Sequence, residues 1–389
     1  MRTSFPVLSA RLSLVCGLVL STVALPQSVE IAADRRATNS PVTVPADIDD
    51  ALPQFMVDPF WPKPLPNNWI LGQVSGVHVD SNDHVWIVQR PNSLSDRETA
   101  ATLDPPASKC CVPAPPVIAF DQSGNVVRAW GGPGAGFEWP QNEHGIHIAD
   151  GYVWLAGNGS EDSQILKFTM DGEFVMQIGS QGQSGGSNDP ENLGRPADLY
   201  VDTVDREVYV ADGYGNRRVV VYDADTGAYK RHWGAYGNTP HDDELAPYSP
   251  DTAPSDQFGN PVHCVQVSND GFVYVCDRTN DRYQIFGKDG YFVAEAFFEP
   301  QTLQNGSVYD LTFSADDEQR YIFMVDGFNN ELRIVDRASH TTLGRVGRPG
   351  RYAGQFHAVH DIAIDSHGNL YTTEVNSGQR VQKFRRLDQ

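Results

Sequence analysis

The sequence predicts an all-β fold, a six-bladed β-propeller closed by an N-terminal strand, and three observations support this prediction. First, the 389 residues include 35 Gly and 26 Pro, and no long segment carries an apolar stripe of helical period. Second, a unit of about 40 to 50 residues recurs along the chain, a period typical of propellers and solenoids. Third, each unit opens with two alternating strands joined by an Asp, Asn or Gly turn, as in PVHCVQVSNDGFVYVCD from Pro261.

Six such units follow one another, and four strands in each would make one blade. The last unit is one strand short, and the segment 54–60 is expected to supply that strand and close the ring. A solenoid is the alternative, disfavoured because neither end shows a polar capping repeat. The blades are predicted near residues 72–132, 139–182, 193–237, 258–300, 304–350 and 354–389.

Two insertions interrupt the strand pattern, at residues 93–116 and 238–256. Long segments without strands of their own in a compact domain are often functional loops. We therefore expect both insertions to overhang one mouth of the ring.

Residues 1–27 have the pattern of a secretory signal peptide. An apolar stretch from Leu12 to Leu25 follows two arginines, and cleavage is expected near Ala24 to Gln27. An uncleaved anchor is the alternative, and residues 28–53 are expected to form a flexible leader. The pattern predicts a secreted or periplasmic protein that is free of the membrane after cleavage. A net charge of −21 argues against nucleic acid and anionic membrane surfaces as partners.

Four cysteines follow the predicted cleavage site, and an even number permits disulfides in an exported protein. Cys264 and Cys276 would face each other across one hairpin, so they could form a bridge, with free thiols as the alternative. The adjacent Cys110 and Cys111 lie in a Pro-rich loop, and their state is left open.

The first strand of every propeller blade lines the central channel, so residues in the same register form a ring around the axis. Histidine occupies the position just before this strand in blades two, four and six. Three imidazoles with an open fourth position are the ligands of a catalytic zinc. A core histidine satisfied by hydrogen bonds is the alternative for any one of them, but the alternation favours a metal site. In order, the six blades place at this position Ser75, His144, Ala197, His263, Tyr309 and His360.

The next register position suggests a second ion. Asp361 follows His360 directly and could bind a hard cation inside the channel. The strand carbonyls of Val77 and Ile146 would supply further oxygen ligands. An aspartate that caps a strand end is the alternative.

Two arginines and a tyrosine are predicted beside the histidines. Arg278 ends the hairpin that His263 begins, so both residues lie at one mouth of the ring, and Arg90 holds the matching place in blade one. Tyr214 occupies nearly the equivalent position in blade three. Two guanidiniums suit bidentate binding of a carboxylate, and a phenol beside a metal could serve as a base. A surface ion pair or a packed aromatic is the alternative for each residue alone.

The blades resemble NHL-repeat units, and residues 70–389 are similar to peptidyl-α-hydroxyglycine α-amidating lyase, a peptidylamidoglycolate lyase with a six-bladed propeller. The stretches that carry the resemblance are HGIHIADGYVWLAG, DGYGNRRVVVY, VHCVQVSNDGFVYVCDRTNDRYQIF and VHDIAIDSHGNLY. The resemblance implies zinc ligands at His144, His263 and His360, a structural calcium at Asp361 and the carbonyls of Val77 and Ile146, a catalytic tyrosine at Tyr214, and substrate arginines at Arg90 and Arg278.

The implied activity is that of a metal-dependent carbon–nitrogen lyase, which would cleave an N-substituted α-hydroxyglycine to an amide and glyoxylate. The expected cofactors are a catalytic Zn²⁺ and a structural Ca²⁺. The expected substrate is a small molecule or peptide with a carboxylate, and the protein is expected to be a monomer. One alternative is a non-catalytic NHL-repeat propeller that binds a protein or glycan. Another is a calcium-dependent lactonase, but acidic and amide ligands rather than three histidines would be expected there.

Overall fold

The computed structural model describes residues 52–387, which form six four-stranded antiparallel sheets and one short parallel pair. This architecture confirms the predicted all-β, six-bladed propeller. The predicted signal peptide and nearly all of the predicted leader lie outside the described residues. Within residues 52–387, we find no helix with the length and apolar character that a membrane crossing requires.

Residues 52–387 contain twenty-six strands, β1 to β26. The first thirteen are β1 (Phe55–Asp58), β2 (Trp69–Ile70), β3 (Gln73–Val79), β4 (Val85–Arg90), β5 (Val112–Pro113), β6 (Val117–Phe120), β7 (Val126–Trp130), β8 (Glu143–Ala149), β9 (Tyr152–Gly157), β10 (Gln164–Thr169), β11 (Phe174–Gly179), β12 (Asp198–Asp202) and β13 (Glu207–Asp212). The others are β14 (Arg218–Asp223), β15 (Tyr229–Trp233), β16 (Val262–Val267), β17 (Phe272–Asp277), β18 (Arg282–Gly287), β19 (Phe292–Phe297), β20 (Val308–Phe313), β21 (Tyr321–Asp326), β22 (Glu331–Asp336), β23 (Thr341–Val346), β24 (Val359–Ile364), β25 (Leu370–Glu374) and β26 (Arg380–Arg386). Short 3₁₀ helices cover Pro91–Ser93, Ala100–Thr102, Ala235–Gly237 and Arg278–Asn280.

The blades form a closed ring. Blade one is β3-β4-β6-β7, blades two to five are β8–β11, β12–β15, β16–β19 and β20–β23, and blade six is β24-β25-β26-β1. The innermost strands contact one another in turn from β3 through β8, β12, β16 and β20 to β24, and β24 contacts β3. Strand β1 pairs with β26, with Phe55 opposite Arg386. The N-terminal strand therefore covers the free edge of blade six, as predicted.

Apolar side chains fill the spaces between neighbouring blades. Val219 of blade three and Val275 of blade four belong to one fully buried cluster, and Trp86 of blade one packs in a cluster with Leu155 of blade two. Each sheet is thus covered on both faces, which explains why inner strands such as VWIVQR of β4 are buried along their whole length. Burial at roughly 25 cal/mol per Å² of apolar surface makes this packing the main source of stability.

An ion pair recurs at one end of four blades. The acidic residue that ends the second strand contacts an arginine in the first residues of the third strand, and all of these side chains are buried except the partly exposed Arg380. These pairs are Asp212–Arg218 at 2.9 Å, Asp277–Arg282 at 2.8 Å, Asp326–Arg333 at 2.9 Å and Glu374–Arg380 at 2.7 Å.

Residues 52–387 contain two disulfides. Cys264 and Cys276 join the first and second strands of blade four, with their Cα atoms 4.8 Å apart. Cys110 and Cys111 are bridged to each other within the first insertion. The second insertion contacts neighbouring loops, where Tyr248 donates a hydrogen bond to the carbonyl of Pro300. The placement of the insertions over a channel mouth stays a prediction.

Candidate functional site

The three predicted histidines lie at irregular steps of the channel-lining strands. These strands begin two residues earlier than the sequence predicts, so each histidine is the second residue of its strand rather than the residue before it. At this point the pairing with the second strand shifts register, and a β-bulge of this kind redirects a side chain. The pairing skips His263 in β16, His360 in β24, and His144 with Gly145 in β8.

The three imidazoles meet at the channel axis. The ring centres are 5.1 Å apart for His144 and His263, 4.8 Å for His144 and His360, and 4.9 Å for His263 and His360. One nitrogen of each ring lies within 4.8 Å of one from each of the others, and all three residues are buried. The structure therefore brings together the trio that the alternation predicted.

The other nitrogen of each ring fixes its orientation. In every case Nδ1–H donates to a carbonyl of the following blade, at the equivalent slot of its first strand. This arrangement selects the tautomer that turns the Nε2 lone pair inward, as is usual for histidines that bind metals. The three hydrogen bonds run from His144 to Ala197 at 2.8 Å, from His263 to Tyr309 at 2.7 Å, and from His360 to Ser75 at 2.8 Å.

Burial keeps the three imidazoles neutral. Burial, with the neighbouring imidazoles second, lowers the pKa of His144 well below its usual range. Burial and the charge of Arg278 do the same to the pKa of His263. Burial and the charges of Arg90 and Arg278 lower the pKa of His360 to about 3. Neutral imidazole is the form that binds a metal.

One imidazole nitrogen of the trio is buried without a hydrogen-bond partner, which supports a metal ion as its ligand. Nε2 of His263 is buried and has no hydrogen-bond partner, while Nε2 of His144 accepts a hydrogen bond from the hydroxyl of Tyr214 at 3.0 Å. A buried polar atom without a partner is destabilising unless a ligand satisfies it. Three converging neutral nitrogens fit a divalent transition ion with an open coordination position.

Tyr214 and Arg278 lie beside the histidines. The guanidinium of Arg278 donates to the Tyr214 hydroxyl at 3.1 Å and stacks 4.7 Å from the ring centre of Tyr309. Its Nε is buried and has no partner. The Tyr214 oxygen thus bridges a histidine nitrogen and a guanidinium, a position suited to holding or passing a proton.

Arg90 reaches the same mouth from blade one. Its guanidinium donates to the carbonyl of Glu143 at 2.7 Å, to the side chain of Gln73 at 3.0 Å and to the side chain of Asn158 at 3.4 Å. These contacts fix its plane without neutralising its charge, because the three acceptors are neutral amide oxygens.

Five arginines are among the buried side chains of the described residues 52–387. Arg218, Arg282 and Arg333 each contact a carboxylate. Arg90 and Arg278 have no carboxylate within ion-pair distance among residues 52–387. Buried charges are normally paired, so two unpaired guanidiniums at one mouth fit an anionic ligand.

A tier of carboxylates follows the histidines along the channel. Asp361 accepts a hydrogen bond from the backbone N–H of Val77 at 3.2 Å, and Val77, Ile146 and Asp361 line one cavity of about 320 Å³. Burial raises the pKa of Asp198, Asp310 and Asp361, and repulsion from Asp310 adds to the effect on the other two. The structure thus brings together the three residues predicted for a hard cation, and it adds Asp198 and Asp310.

Sequence reasoning missed three side chains of this site. Asn158 follows β9 at the station that Arg90 and Arg278 occupy in their blades, so alignment of the strand ends could have identified it. Tyr309 occupies the position in blade five that histidine occupies in blades two, four and six. Its carbonyl accepts a hydrogen bond from His263 and its ring contacts Arg278, and neither contact can be read from the sequence. Arg195 precedes β12 and had no equivalent among the motifs.

No family model matches the sequence. The chain is 28% identical over 248 residues to NHL repeat-containing protein 3 of Mus musculus. This alignment covers 61% of this chain and 58% of that protein. It is 25% identical over 343 residues to peptidyl-glycine alpha-amidating monooxygenase of Mus musculus, covering 80% of this chain and 30% of that protein. The chain therefore spans little more than half of the first relative and less than a third of the second.

A solved streptogramin B lyase structure superposes on 86% of this chain and 98% of its own with a TM-score of 0.51 and 12% sequence identity. At this identity the likeness concerns the fold alone. These sequence similarities show that the chain is related to NHL-repeat proteins and, distantly, to amidating monooxygenases.

Proposed function

We propose that this propeller is a metal-dependent carbon–nitrogen lyase that cleaves an N-substituted α-hydroxyglycine to an amide and glyoxylate. One observation carries the proposal: three converging neutral histidines and two buried, unpaired arginines share one mouth of the channel. A ligand that fits both features has an oxygen donor close to a carboxylate. An α-hydroxyglycine has this arrangement, with a hydroxyl and a carboxylate on adjacent carbons.

Zn²⁺ is the proposed ion for the three histidines, since three imidazoles and an open position are typical of catalytic zinc. When bound, it supplies Lewis acidity at the hydroxyl oxygen of the substrate. Ca²⁺ is proposed as a structural ion at Asp361 with the carbonyls of Val77 and Ile146, deeper in the channel.

Residues of the chain itself would bind the substrate and transfer its protons. Arg90 and Arg278 bind the substrate carboxylate and fix the C–N bond relative to Tyr214. The Tyr214 oxygen takes the hydroxyl proton, the electron pair of the broken O–H bond becomes the second carbon–oxygen bond of the aldehyde, and the C–N pair leaves with nitrogen. A proton returned to that nitrogen completes the amide, so the products balance the substrate without an oxidant or a reductant.

The name of the amidating monooxygenases agrees with this chemistry, because alpha-amidation of a peptidyl-glycine leaves an amide. We extend the proposal to a small-molecule or peptide substrate with a carboxylate, a monomeric protein and a secreted or periplasmic location. Nucleic acid and membrane surfaces are not proposed as partners.

The test combines elemental analysis with a glyoxylate-release assay on α-hydroxyhippurate. We expect purified protein to hold about one transition ion per chain and to release glyoxylate. His263→Ala should lose the ion and reduce turnover by more than about 1000-fold, because both depend on the complete trio. His367→Ala removes an exposed histidine and should change neither. Protein without a transition ion, or turnover that survives His263→Ala, would reject the mechanism in favour of a binding propeller.

A further inference from the structure

A third guanidinium lies at the same mouth. The guanidinium carbon of Arg195 is 5.8 Å from the ring centre of Tyr214, and that of Arg278 is 5.6 Å from the same ring. Nε of Arg195 donates to the backbone carbonyl of Asn158 at 3.0 Å, and the side chain of Asn158 accepts from Arg90 at 3.4 Å. Asn158 and Tyr214 therefore connect three arginines in one group.

The backbone fixes Arg195 in place. Its φ is +60°, in the left-handed region that non-glycine residues rarely adopt. Its N–H donates to the carbonyl of Asp162 at 2.7 Å, and its carbonyl accepts from the N–H of Tyr214 at 3.2 Å. Such a conformation persists only where neighbouring contacts hold it, so the position of the Arg195 Cα beside Tyr214 is well defined.

Arg195 has no carboxylate partner among residues 52–387, although the full chain has 50 acidic and 29 basic residues. Two accessible arginines of this propeller are paired, whereas Arg217 donates only to the neutral oxygens of Asn260, His241 and Asp243. Arg231 contacts Glu207, and Arg345 contacts both Glu299 and Glu331. Arg195 differs from Arg217 because it lies with Arg90 and Arg278 in one group of guanidiniums without carboxylate partners, and such a group in a strongly acidic protein fits an anionic ligand.

Depth separates the three guanidiniums. Arg90 and Arg278 are buried at 8% and 9% exposure, whereas Arg195 is only partly buried and lies nearer the solvent. One carboxylate is satisfied by the two deep guanidiniums. In the orientation proposed above, with the carboxylate on the two deep guanidiniums, the acyl group that leaves as the amide would extend outward past Arg195.

The geometry points to a dianionic substrate: an N-acyl α-hydroxyglycine whose acyl group carries a second carboxylate, which Arg195 binds. This inference rests on the proposed lyase function for its reaction. It specifies the substrate class and makes Arg195 the residue that selects it.

The kinetic test uses two substrates that differ only in charge, N-succinyl-α-hydroxyglycine and its N-succinamoyl analogue. We expect wild-type kcat/KM to favour the succinyl compound by at least about tenfold, since a charge-assisted pair is lost with the amide. Arg195→Gln should abolish this preference by slowing the succinyl compound while changing the succinamoyl compound less than about twofold. Arg195→Lys should restore part of it. Arg345→Gln, which removes another exposed cation, should leave the preference intact.

A binding measurement separates this inference from the lyase proposal. N-succinylglycine and N-succinamoylglycine lack the reactive hydroxyl, and calorimetric titration gives their Kd values without turnover. Tighter binding of N-succinylglycine that disappears in Arg195→Gln supports the second anion site, even if no compound releases glyoxylate and the lyase proposal fails. Equal Kd values in wild-type protein, or a preference that persists in Arg195→Gln, would overturn the inference while lyase activity could stand.

Discussion

The propeller contains two sets of buried arginines with opposite surroundings. Arg218 and Arg282, inside the blades, are 0% exposed and lie 2.9 Å and 2.8 Å from carboxylates of the same blade. Arg90 and Arg278, at the channel mouth, are 8% and 9% exposed and contact neutral oxygens and aromatic rings. The first set is neutralised within the fold, and the second set keeps its charge for a ligand.

In blade four, an arginine of each set lies within the five residues from Arg278 to Arg282. Asp277 precedes Arg278 in the chain, but its carboxylate contacts Arg282 rather than Arg278. The 3₁₀ turn Arg278–Asn280 and the left-handed Asp281, with φ of 54°, direct the two guanidiniums to different places. An arginine can therefore be assigned to stability or to binding by its partner, and its position near a strand end does not decide between them.

Removing a blade arginine should have the largest effect. Arg282→Met leaves the Asp277 carboxylate buried without its cation, and breaking a buried pair costs about 3–5 kcal/mol. The free energy of unfolding, measured by urea denaturation, should fall by that amount. The Asp277→Asn/Arg282→Met double variant should recover part of the loss, because the fully buried carboxylate is then neutral and only Glu295 loses its contact with Arg282. A loss no larger than that of Arg278→Met would contradict the structural role of Arg282.

Removing a mouth arginine should affect binding instead of stability. Arg278→Met takes away an unpaired charge, so the free energy of unfolding should change by less than about 1 kcal/mol. Its affinity for hippurate, measured by calorimetry, should fall by about 100-fold, because a charge-assisted contact to the carboxylate is lost. Arg333→Met serves as the matched blade variant and should show the reverse pattern. Unchanged hippurate affinity in Arg278→Met would exclude this arginine from the anion site.

The sequence alone predicted the ring and the histidine trio for a physical reason. A propeller repeats one register in every blade, so side chains in equivalent slots must converge, and the alternation of His144, His263 and His360 was visible as spacing. The carbonyls that orient them were not visible, because any residue has a carbonyl and the slots at Ser75 and Ala197 give no side-chain signal. The bulges that redirect the histidines likewise depend on pairing between strands.

The third arginine illustrates a second limit. Arg195 lies before its strand rather than at a strand end, and its place beside Tyr214 follows from a left-handed backbone conformation that the sequence gives no reason to expect. The separation of Arg278 from Arg282 has the same origin. The sequence pattern identified Arg278 at the end of its hairpin, but only the contacts show that the carboxylate of Asp277 pairs with Arg282 instead.

The ion pairs of the buried Glu207 with the partly exposed Lys230 and Arg231 in blade three should have the smallest effect and a clear pH dependence. Burial alone would raise the pKa of Glu207 above its ordinary value of 4.5. Hydrogen bonds from Arg231, Tyr209 and Lys230 outweigh burial and lower this pKa to about 2. A carboxylate with a depressed pKa stabilises the fold above its unfolded pKa and loses that contribution as the pH falls. Glu207→Gln should therefore reduce the free energy of unfolding by about 1 kcal/mol at pH 7, since its exposed partners are screened. Urea titrations should show this difference shrinking below pH 4.5 toward about 2. A difference that stays constant over this range would mean that Glu207 acts through packing rather than through its charge.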